Sequence, residues 1–119
     1  MSDFWYLATP YSKYPQGLEA AFLLAVRARG LLLQAGVRCF SPIIHSHPVA
    51  MECGLDPLDH EIWLPAEAPI LEHASGLIML RADSWEISFG MNEELKLFRA
   101  AEKPVVWMDP GVLPEEFER

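Results

Sequence analysis

Residues 76–101 read GLIMLRADSWEISFGMNEELKLFRAA and contain the strongest indication of the fold. Leu77–Leu80 is an apolar run typical of a buried strand, and the segment that begins near Ser88 predicts a helix reaching about Ala101. A buried strand, a loop and a helix in that order form the unit from which parallel sheets are built. At such a junction the free backbone N–H groups of the helix start face a bound ligand.

The helix start also carries the strongest candidate for catalysis, Glu94. Gly90 lies four residues earlier and therefore on the same helical face. Because Gly90 has no side chain, the space beside the Ser88 hydroxyl and the Glu94 carboxylate can hold a small molecule. We predict that Glu94 is a catalytic carboxylate and that Ser88 and Gly90 hold the anionic end of its substrate. The alternative is a solvated glutamate that the helix dipole favours.

The rest of the chain alternates strands with helices. The predicted strands are Phe4–Ala8, Val37–Phe40, Gly76–Leu80 and Pro104–Met108. The predicted helices are Leu18–Gln34, with Leu18, Phe22, Ala25, Val26, Leu32 and Leu33 at helical spacing, a short helix Pro57–Trp63 capped by Asp56, and another that starts near Pro65 or Pro69 and ends near Ala74. Ile43–Asp56 predicts a long loop with a short helical turn at most. Alternating strands and helices predict one domain over residues 1–119, with a parallel sheet covered by helices on both faces.

Composition limits the function classes. The chain has 119 residues, 51% of them hydrophobic and 22% charged, with a formal net charge of −8. This charge argues against a nucleic-acid polymer or an anionic membrane surface as partner, although backbone N–H groups can still hold a small anion. No apolar run approaches the roughly 18–20 residues of a membrane helix, and no signal-peptide pattern is present. Cys39 and Cys53 lack metal-type or redox-type spacing, so we expect reduced thiols in a cytoplasmic protein.

Three loops meet at the carboxyl edge of the predicted sheet: Thr9–Ser12, Ser41–His47 and Arg81–Gly90. In parallel α/β folds ligands bind at that edge, where the strand order switches. Tyr6 either belongs to the core or places its hydroxyl beside Glu94 and orients the carboxylate.

The loop after the first strand is assigned to substrate binding through Thr9, Pro10, Tyr11 and Ser12. These loop residues could line a pocket, or Tyr11 and Ser12 could instead cap the following helix. No Gly-x-Gly-x-x-Gly, P-loop or Gly-x-Ser-x-Gly motif occurs in the chain, which argues against dinucleotide oxidoreductases, common NTPases and common serine hydrolases.

His45 and His47 admit two interpretations. With Asp59, His60 and His73 they could form a zinc site, but their spacing matches neither a helical pair nor a finger pattern. We therefore predict that they bind substrate or order their own loop, with no metal and no cofactor.

Asp83 and Trp85 precede the helix that carries Glu94. Asp83 fits a capping box with Glu86, and it is also our candidate for an acid in catalysis. Trp85 could be a lid over an aromatic base or an ordinary packing residue.

Several of these motifs together resemble the nucleoside 2-deoxyribosyltransferase superfamily, in particular its small, largely uncharacterised bacterial and phage members. The motifs are Tyr6-Leu7-Ala8-Thr9-Pro10-Tyr11-Ser12, Phe40-Ser41-Pro42-Ile43 with His45-Ser46-His47-Pro48, and Trp85-x-x-Ser88-x-Gly90-x-x-x-Glu94 followed by Lys103-Pro104-Val105. The resemblance implies a three-layer, flavodoxin-like (Rossmann-like) fold with a four- or five-stranded parallel sheet, and a homodimer whose partner chain helps close the site.

The resemblance also implies a chemistry. Glu94 would attack C1′ of a ribose or deoxyribose, the base would leave, and water or a second base would take the sugar with retention. Glu94 must be ionised for this step, and the helix start is expected to keep it so. Tyr6 would orient it.

Two departures from the family pattern refine this expectation. Ser88 stands where transferases acting on free nucleosides usually carry aspartate, so Ser88-Phe89-Gly90 is similar to the version that binds a nucleotide 5′-phosphate. Ser75-Gly76 stands where many members carry the acid that protonates the leaving base, and Asp83 is the predicted substitute. The expected function is cleavage or transfer of the N-glycosidic bond of a nucleoside or nucleoside 5′-monophosphate. The alternative is a nucleotide-binding or sensing module without turnover.

Overall fold

Four parallel strands form the centre of the molecule. The computed structural model describes residues 3–118. The strands are β1 (Trp5–Ala8), β2 (Cys39–Phe40), β3 (Gly76–Leu80) and β4 (Val105–Met108), and the helices are α1 (Leu18–Gln34), α2 (Pro42–Cys53), α3 (His60–His73) and α4 (Phe89–Ala100). Short 3-10 turns cover Trp85–Ile87 and Glu115–Phe117. No helix within residues 3–118 is long and apolar enough to cross a membrane.

The strand order is β2-β1-β3-β4, and every neighbouring pair is parallel. Leu7 lies opposite Ile78, which lies opposite Val106 on the next strand. With helices on the sheet, this is the predicted α/β architecture, a three-layer flavodoxin-like fold with four strands. The chain leaves β1 for β2 on one side and then crosses to β3 on the other, so the crevice between β1 and β3 is the topological switch point.

The two faces of the sheet bury separate cores. Leu7, Ile78 and Val106 pack with Ala28 and Leu32 of α1 on one face. On the other, Tyr6, Leu77 and Met79 pack with Met91 and Phe98 of α4. Because side chains alternate along a strand, β1 sends Tyr6 to the α4 face, and this alternation places its phenol near the helix that carries Glu94.

The packed face of α1 differs from the prediction. Its buried residues are Ala21, Ala25, Ala28 and Leu32, whereas Val26 and Leu33 are 39% and 47% exposed. The three alanines lie at spacings of four and three, which makes one continuous small-residue strip. This strip lets the helix backbone come close to its neighbours, and the larger apolar side chains beside it face outward.

The predicted loop over Ile43–Asp56 is wrong, because α2 occupies most of it. Ser41 caps this helix by accepting a hydrogen bond from the Ile44 N–H at 3.3 Å, Pro42 takes the first helical position, and Gly54 ends it with φ of 68°. Pro48 lies inside this helix and is exposed, and its missing N–H leaves the Ile44 carbonyl without the usual helical donor.

The predicted break within the next segment is also wrong, because α3 continues through Pro65 and Pro69. Its N-cap is Asp59 rather than Asp56. Both prolines are exposed and leave their freed carbonyls to solvent. Trp63 is buried and donates its indole N–H to the Asp56 carbonyl at 2.9 Å, which fastens the first half of the helix to the molecule.

Gly76 begins β3 at a point of close approach. A Cβ atom there would lie 2.4 Å from the Trp5 ring and 2.9 Å from the Pro104 carbonyl oxygen. The preceding Ser75 donates its N–H to the Phe4 carbonyl at 2.8 Å. Packing therefore accounts for glycine at this position, and an acidic side chain at residue 76 would collide with the sheet.

Candidate functional site

A pocket of about 440 Å³ lies at the carboxyl edge of the sheet, at the switch point. It is bounded by the loop after β1, the start of α2, one side of α3 and the start of α4. Six of the residues predicted for the site line it: Thr9, Tyr11, Ser12, Ser88, Gly90 and Glu94. Residues that the sequence places more than 80 positions apart are thus brought to one cavity.

The start of α4 is fixed by its own side chains. Ser88 caps the helix, its Oγ accepting from the Met91 N–H at 3.3 Å. The Asn92 amide donates to the carbonyls of Ser88 at 2.8 Å and Glu86 at 3.0 Å, which holds the incoming turn. The Phe89 and Gly90 amides belong to the first helical turn and have no intrahelical acceptor. They remain as donors for an anion.

Gly90 leaves part of the pocket open. A Cβ built at this residue meets no heavy atom within 4 Å, and its backbone has ordinary helical geometry. Neither packing nor backbone conformation therefore accounts for glycine here. The space that a side chain would fill belongs to the pocket.

Glu94 projects from α4 into this pocket, and its side chain is half-buried. Burial raises the pKa of its carboxyl from 4.5 to about 8, the hydrogen bond with Tyr6 lowers it, and the charge of Glu67 raises it again. Two features oppose the expectation that the helix start keeps Glu94 ionised. Glu94 is the sixth residue of α4, beyond the first turn where the helix dipole acts, and loss of water around the carboxylate raises its pKa.

Tyr6 is 1% exposed, and its phenol is close enough to Glu94 for each group to shift the pKa of the other. Burial raises the pKa of its phenol far above the usual range, and the negative charges of Glu94 and Glu67 raise it further. The phenol therefore keeps its proton and donates to the Glu94 carboxylate. Its ring is held by Phe40 at 5.9 Å and Phe98 at 6.0 Å between centroids, so the donor is rigidly placed.

Glu67 is the residue that sequence reasoning missed. It lies on α3, is half-buried and lines the same pocket as Glu94. Burial raises the pKa of its carboxyl to about 7. Trp63 precedes it by four residues, so a continuous helix places Glu67 on the same face as the buried indole. The expected break at Pro65 concealed that relation.

The two histidines do not share a site. His47 is 3% exposed and bonded at both ring nitrogens, to the Tyr11 hydroxyl at 2.6 Å and the Glu19 carboxylate at 2.7 Å. His45 is exposed and lies near the Phe40 ring. Across residues 3–118, no three His, Cys, Asp or Glu side chains are grouped so that they could hold a metal ion. Neither histidine lines the pocket.

Tyr6 and three further predicted residues also lie outside the pocket lining. Asp83 is exposed, and the turn after it is capped at Ser84 without a side-chain hydrogen bond, so the predicted capping box does not form. Trp85 packs edge-on against Trp107 at 5.4 Å within the core beside α4, which favours the packing interpretation over a lid. Pro10 is fully buried.

The fold and the pocket together define a flavodoxin-like α/β protein with two carboxyl groups of raised pKa at its switch point. The chain belongs to the family described as a domain of unknown function, DUF1937, whose model matches residues 4–110. That range includes all four strands of the sheet and both Glu67 and Glu94. A search of the curated proteins found no match to this chain.

Proposed function

We propose that this protein cleaves or transfers the N-glycosidic bond of a nucleoside or nucleoside 5′-monophosphate, with Glu94 as the nucleophile. The observation that carries the proposal is the pairing of Glu94 with Glu67 in one pocket, beside the buried Tyr6 phenol. Enzymes that cleave glycosidic bonds commonly use two carboxyl groups whose pKa values are perturbed and differ from each other. The unfilled space at Gly90 can accommodate a 5′-phosphate. The backbone N–H groups of Phe89 and Gly90 can donate hydrogen bonds to it.

In the proposed reaction, a Glu94 carboxylate oxygen attacks C1′ and the bond between C1′ and the base nitrogen breaks. The bonding electron pair goes to the base, which takes the proton of the Glu67 carboxyl. Water then attacks the glycosyl ester, and the Glu67 carboxylate accepts a proton from that water, which restores both groups. Transfer follows the same path with a second base in place of water. Glu67 thus replaces Asp83 as the proposed acid.

The reactive state has one proton on the pair, with Glu94 ionised and Glu67 protonated. Without a ligand this proton resides mainly on Glu94, whose pKa is the higher, so substrate binding has to shift it to Glu67. The pair titrates with pKa values of about 7 and about 8, and coupled groups share their titration steps. Base release is therefore expected to follow a bell-shaped pH profile with its maximum between these two values. Loss of activity at lower pH reports protonation of both groups, and loss at higher pH reports ionisation of both.

Base release from a panel of nucleosides and nucleoside 5′-monophosphates, followed by HPLC, tests the proposal. Glu94→Gln is expected to lower the rate at least about a thousandfold, since removal of a nucleophile typically costs that much or more. Glu93→Gln is the matched control, because Glu93 is adjacent and pairs at the surface with Lys96 at 3.6 Å. Full base release by Glu94→Gln would exclude the mechanism.

One observation favours a second function, nucleotide binding without turnover. A pKa of about 8 leaves the Glu94 carboxyl largely protonated at neutral pH, and a protonated carboxyl donates a hydrogen bond rather than attacking a sugar. Under this alternative, wild-type protein binds nucleotides, releases no base at any pH and retains its affinity in Glu94→Gln.

The homodimer belongs to the same proposal. Exposed apolar side chains lie at the pocket: Leu58 and Leu64 line it and are 42% and 58% exposed. Phe89 is 63% exposed, and its ring lies 6.1 Å from that of His60, another lining residue. A second copy covering them would also narrow the entrance, as the resemblance implies. We expect a dimer by light scattering on a sizing column, and a monomer with weakened nucleotide binding for Leu64→Asp.

A further inference from the structure

We propose that His47 is a positioning residue that makes the Tyr11 oxygen a hydrogen-bond acceptor for the ligand. The inference rests on the proposed function, since it specifies which ligand group Tyr11 recognises. Tyr11 lines the pocket, whereas His47 lies behind it. A chain of side chains thus runs from the surface carboxylate of Glu19 through His47 to the pocket.

The direction of the hydrogen bonds follows from the outer end of this chain. Glu19 is 71% exposed and its ionised carboxylate can only accept, so the hydrogen of the 2.7 Å contact sits on His47 Nε2. A neutral imidazole carries one hydrogen, which leaves Nδ1 as an acceptor. The Tyr11 phenol must then donate to Nδ1 across 2.6 Å, and burial raises its pKa to about 12, so it keeps that proton.

The surroundings of the His47 ring fix its orientation. His47 is 3% exposed and stacks on Phe22 with centroids 4.8 Å apart. Both ring nitrogens are occupied, so the imidazole has no freedom to turn and reverse the pattern.

The consequence for the ligand is specific. With its proton directed at His47, the Tyr11 oxygen offers only lone pairs to the pocket. It therefore recognises an O–H or N–H of the ligand and disfavours a bare acceptor at the same place. Two sources of such a donor exist in a nucleotide, a sugar hydroxyl and an exocyclic amine of the base.

The tautomer can be observed without any substrate. The ¹⁵N spectrum of the His47 ring in the wild-type protein is expected to show a protonated Nε2 and an unprotonated Nδ1. In Glu19→Lys the ammonium can only donate, so Nε2 is expected to lose its hydrogen and Nδ1 to gain one. Glu52→Lys, the same charge change at an exposed residue of α2, is expected to keep the wild-type pattern. A wild-type Nδ1–H, an imidazolium, or an unchanged tautomer in Glu19→Lys would overturn the inference.

Calorimetric titration with nucleotides tests whether the Tyr11 oxygen accepts a hydrogen bond from the ligand. Adenosine against inosine 5′-monophosphate distinguishes an amine donor from an oxygen acceptor, and each against its 2′-deoxy form reports the sugar hydroxyl. Wild-type protein is expected to prefer the donor-bearing member of one pair, and Tyr11→Phe to reduce that preference about tenfold or more. A merely structural Tyr11 would lower all affinities equally, which would overturn the assignment. If no nucleotide binds, the proposed function and the proposed role of Tyr11 in ligand recognition are both refuted. The tautomer of His47 is tested separately, by its ¹⁵N spectrum.

Discussion

Glu94, Glu67 and Tyr6 form a single electrostatic unit, because these residues shift one another's pKa values. Burial raises the pKa of both carboxyls, and the charge of Glu67 raises that of Glu94 further. Tyr6 opposes this by donating to Glu94, which it can do because burial keeps its own proton in place. A ligand that brings positive character to C1′ would favour ionisation of Glu94 over that of Glu67.

This unit makes stability depend on pH. The folded-state pKa values, about 7 and about 8, exceed the ordinary 4.5, so the folded chain binds these protons more tightly than the unfolded chain. The pair's stabilisation is complete below about pH 4.5 and is lost as pH rises through 8. Glu94→Gln is expected to be more stable than the wild type at pH 9 by at least about 1 kcal/mol, and to differ little at pH 4. Urea unfolding across this range measures it; parallel curves for the two proteins would contradict the shift.

Thr9 places a buried hydroxyl at the pocket. It is 4% exposed, lines the pocket, and its Oγ1 has no hydrogen-bond partner in the described part of the chain. An unpaired buried hydroxyl costs about 1–3 kcal/mol. Thr9→Val is therefore expected to raise Tm while weakening nucleotide binding, because a ligand would supply the missing partner. Lower Tm with unchanged binding would show that the hydroxyl serves the fold.

At the scale of elements, the site depends on where α3 and α4 begin and how far they continue. Ser88 fixes the start of α4 through its cap, and this confirms the helix start predicted near Ser88. The capping role itself was not predicted. The continuity of α3 could not be predicted, because prolines destabilise a helix interior. The hydrogen bond that anchors Trp63 to the Asp56 carbonyl becomes apparent only in the folded structure. Glu67 was missed for that reason.

Gly90 and Gly30 provide a matched pair of helix glycines. An added Cβ meets nothing within 4 Å at either position, and neither has positive φ. Both Gly→Ala variants are expected to gain up to about 1 kcal/mol in unfolding free energy from helix propensity. Gly90→Ala alone is expected to lower nucleotide affinity tenfold or more, as its methyl group enters the pocket. If Gly90→Ala and the wild type bind nucleotides with equal affinity in calorimetry, the space beside Gly90 is not used by the ligand.

For the whole molecule, the sequence predicted the architecture better than the site. The strands are continuous apolar runs, and alternation with helices dictates a parallel sheet and the location of its ligand edge. Which side chains reach that edge depends on distant contacts, as with His47, which its partners on α1 and the first loop hold behind the pocket. The burial that moves the pKa values of Glu94 and Glu67 is likewise a property of the assembled fold.

Rapid-quench peptide mapping by mass spectrometry tests whether Glu94 forms a covalent bond with the sugar. Wild-type protein mixed with a nucleoside 5′-monophosphate at pH 7.5 or so, quenched in acid and digested, is expected to yield a glycosyl ester on the peptide that contains Glu94. Glu94→Gln is expected to yield no ester and no base, and Glu93→Gln to match the wild type. Base release by Glu94→Gln, or an adduct on another residue, would contradict the claim.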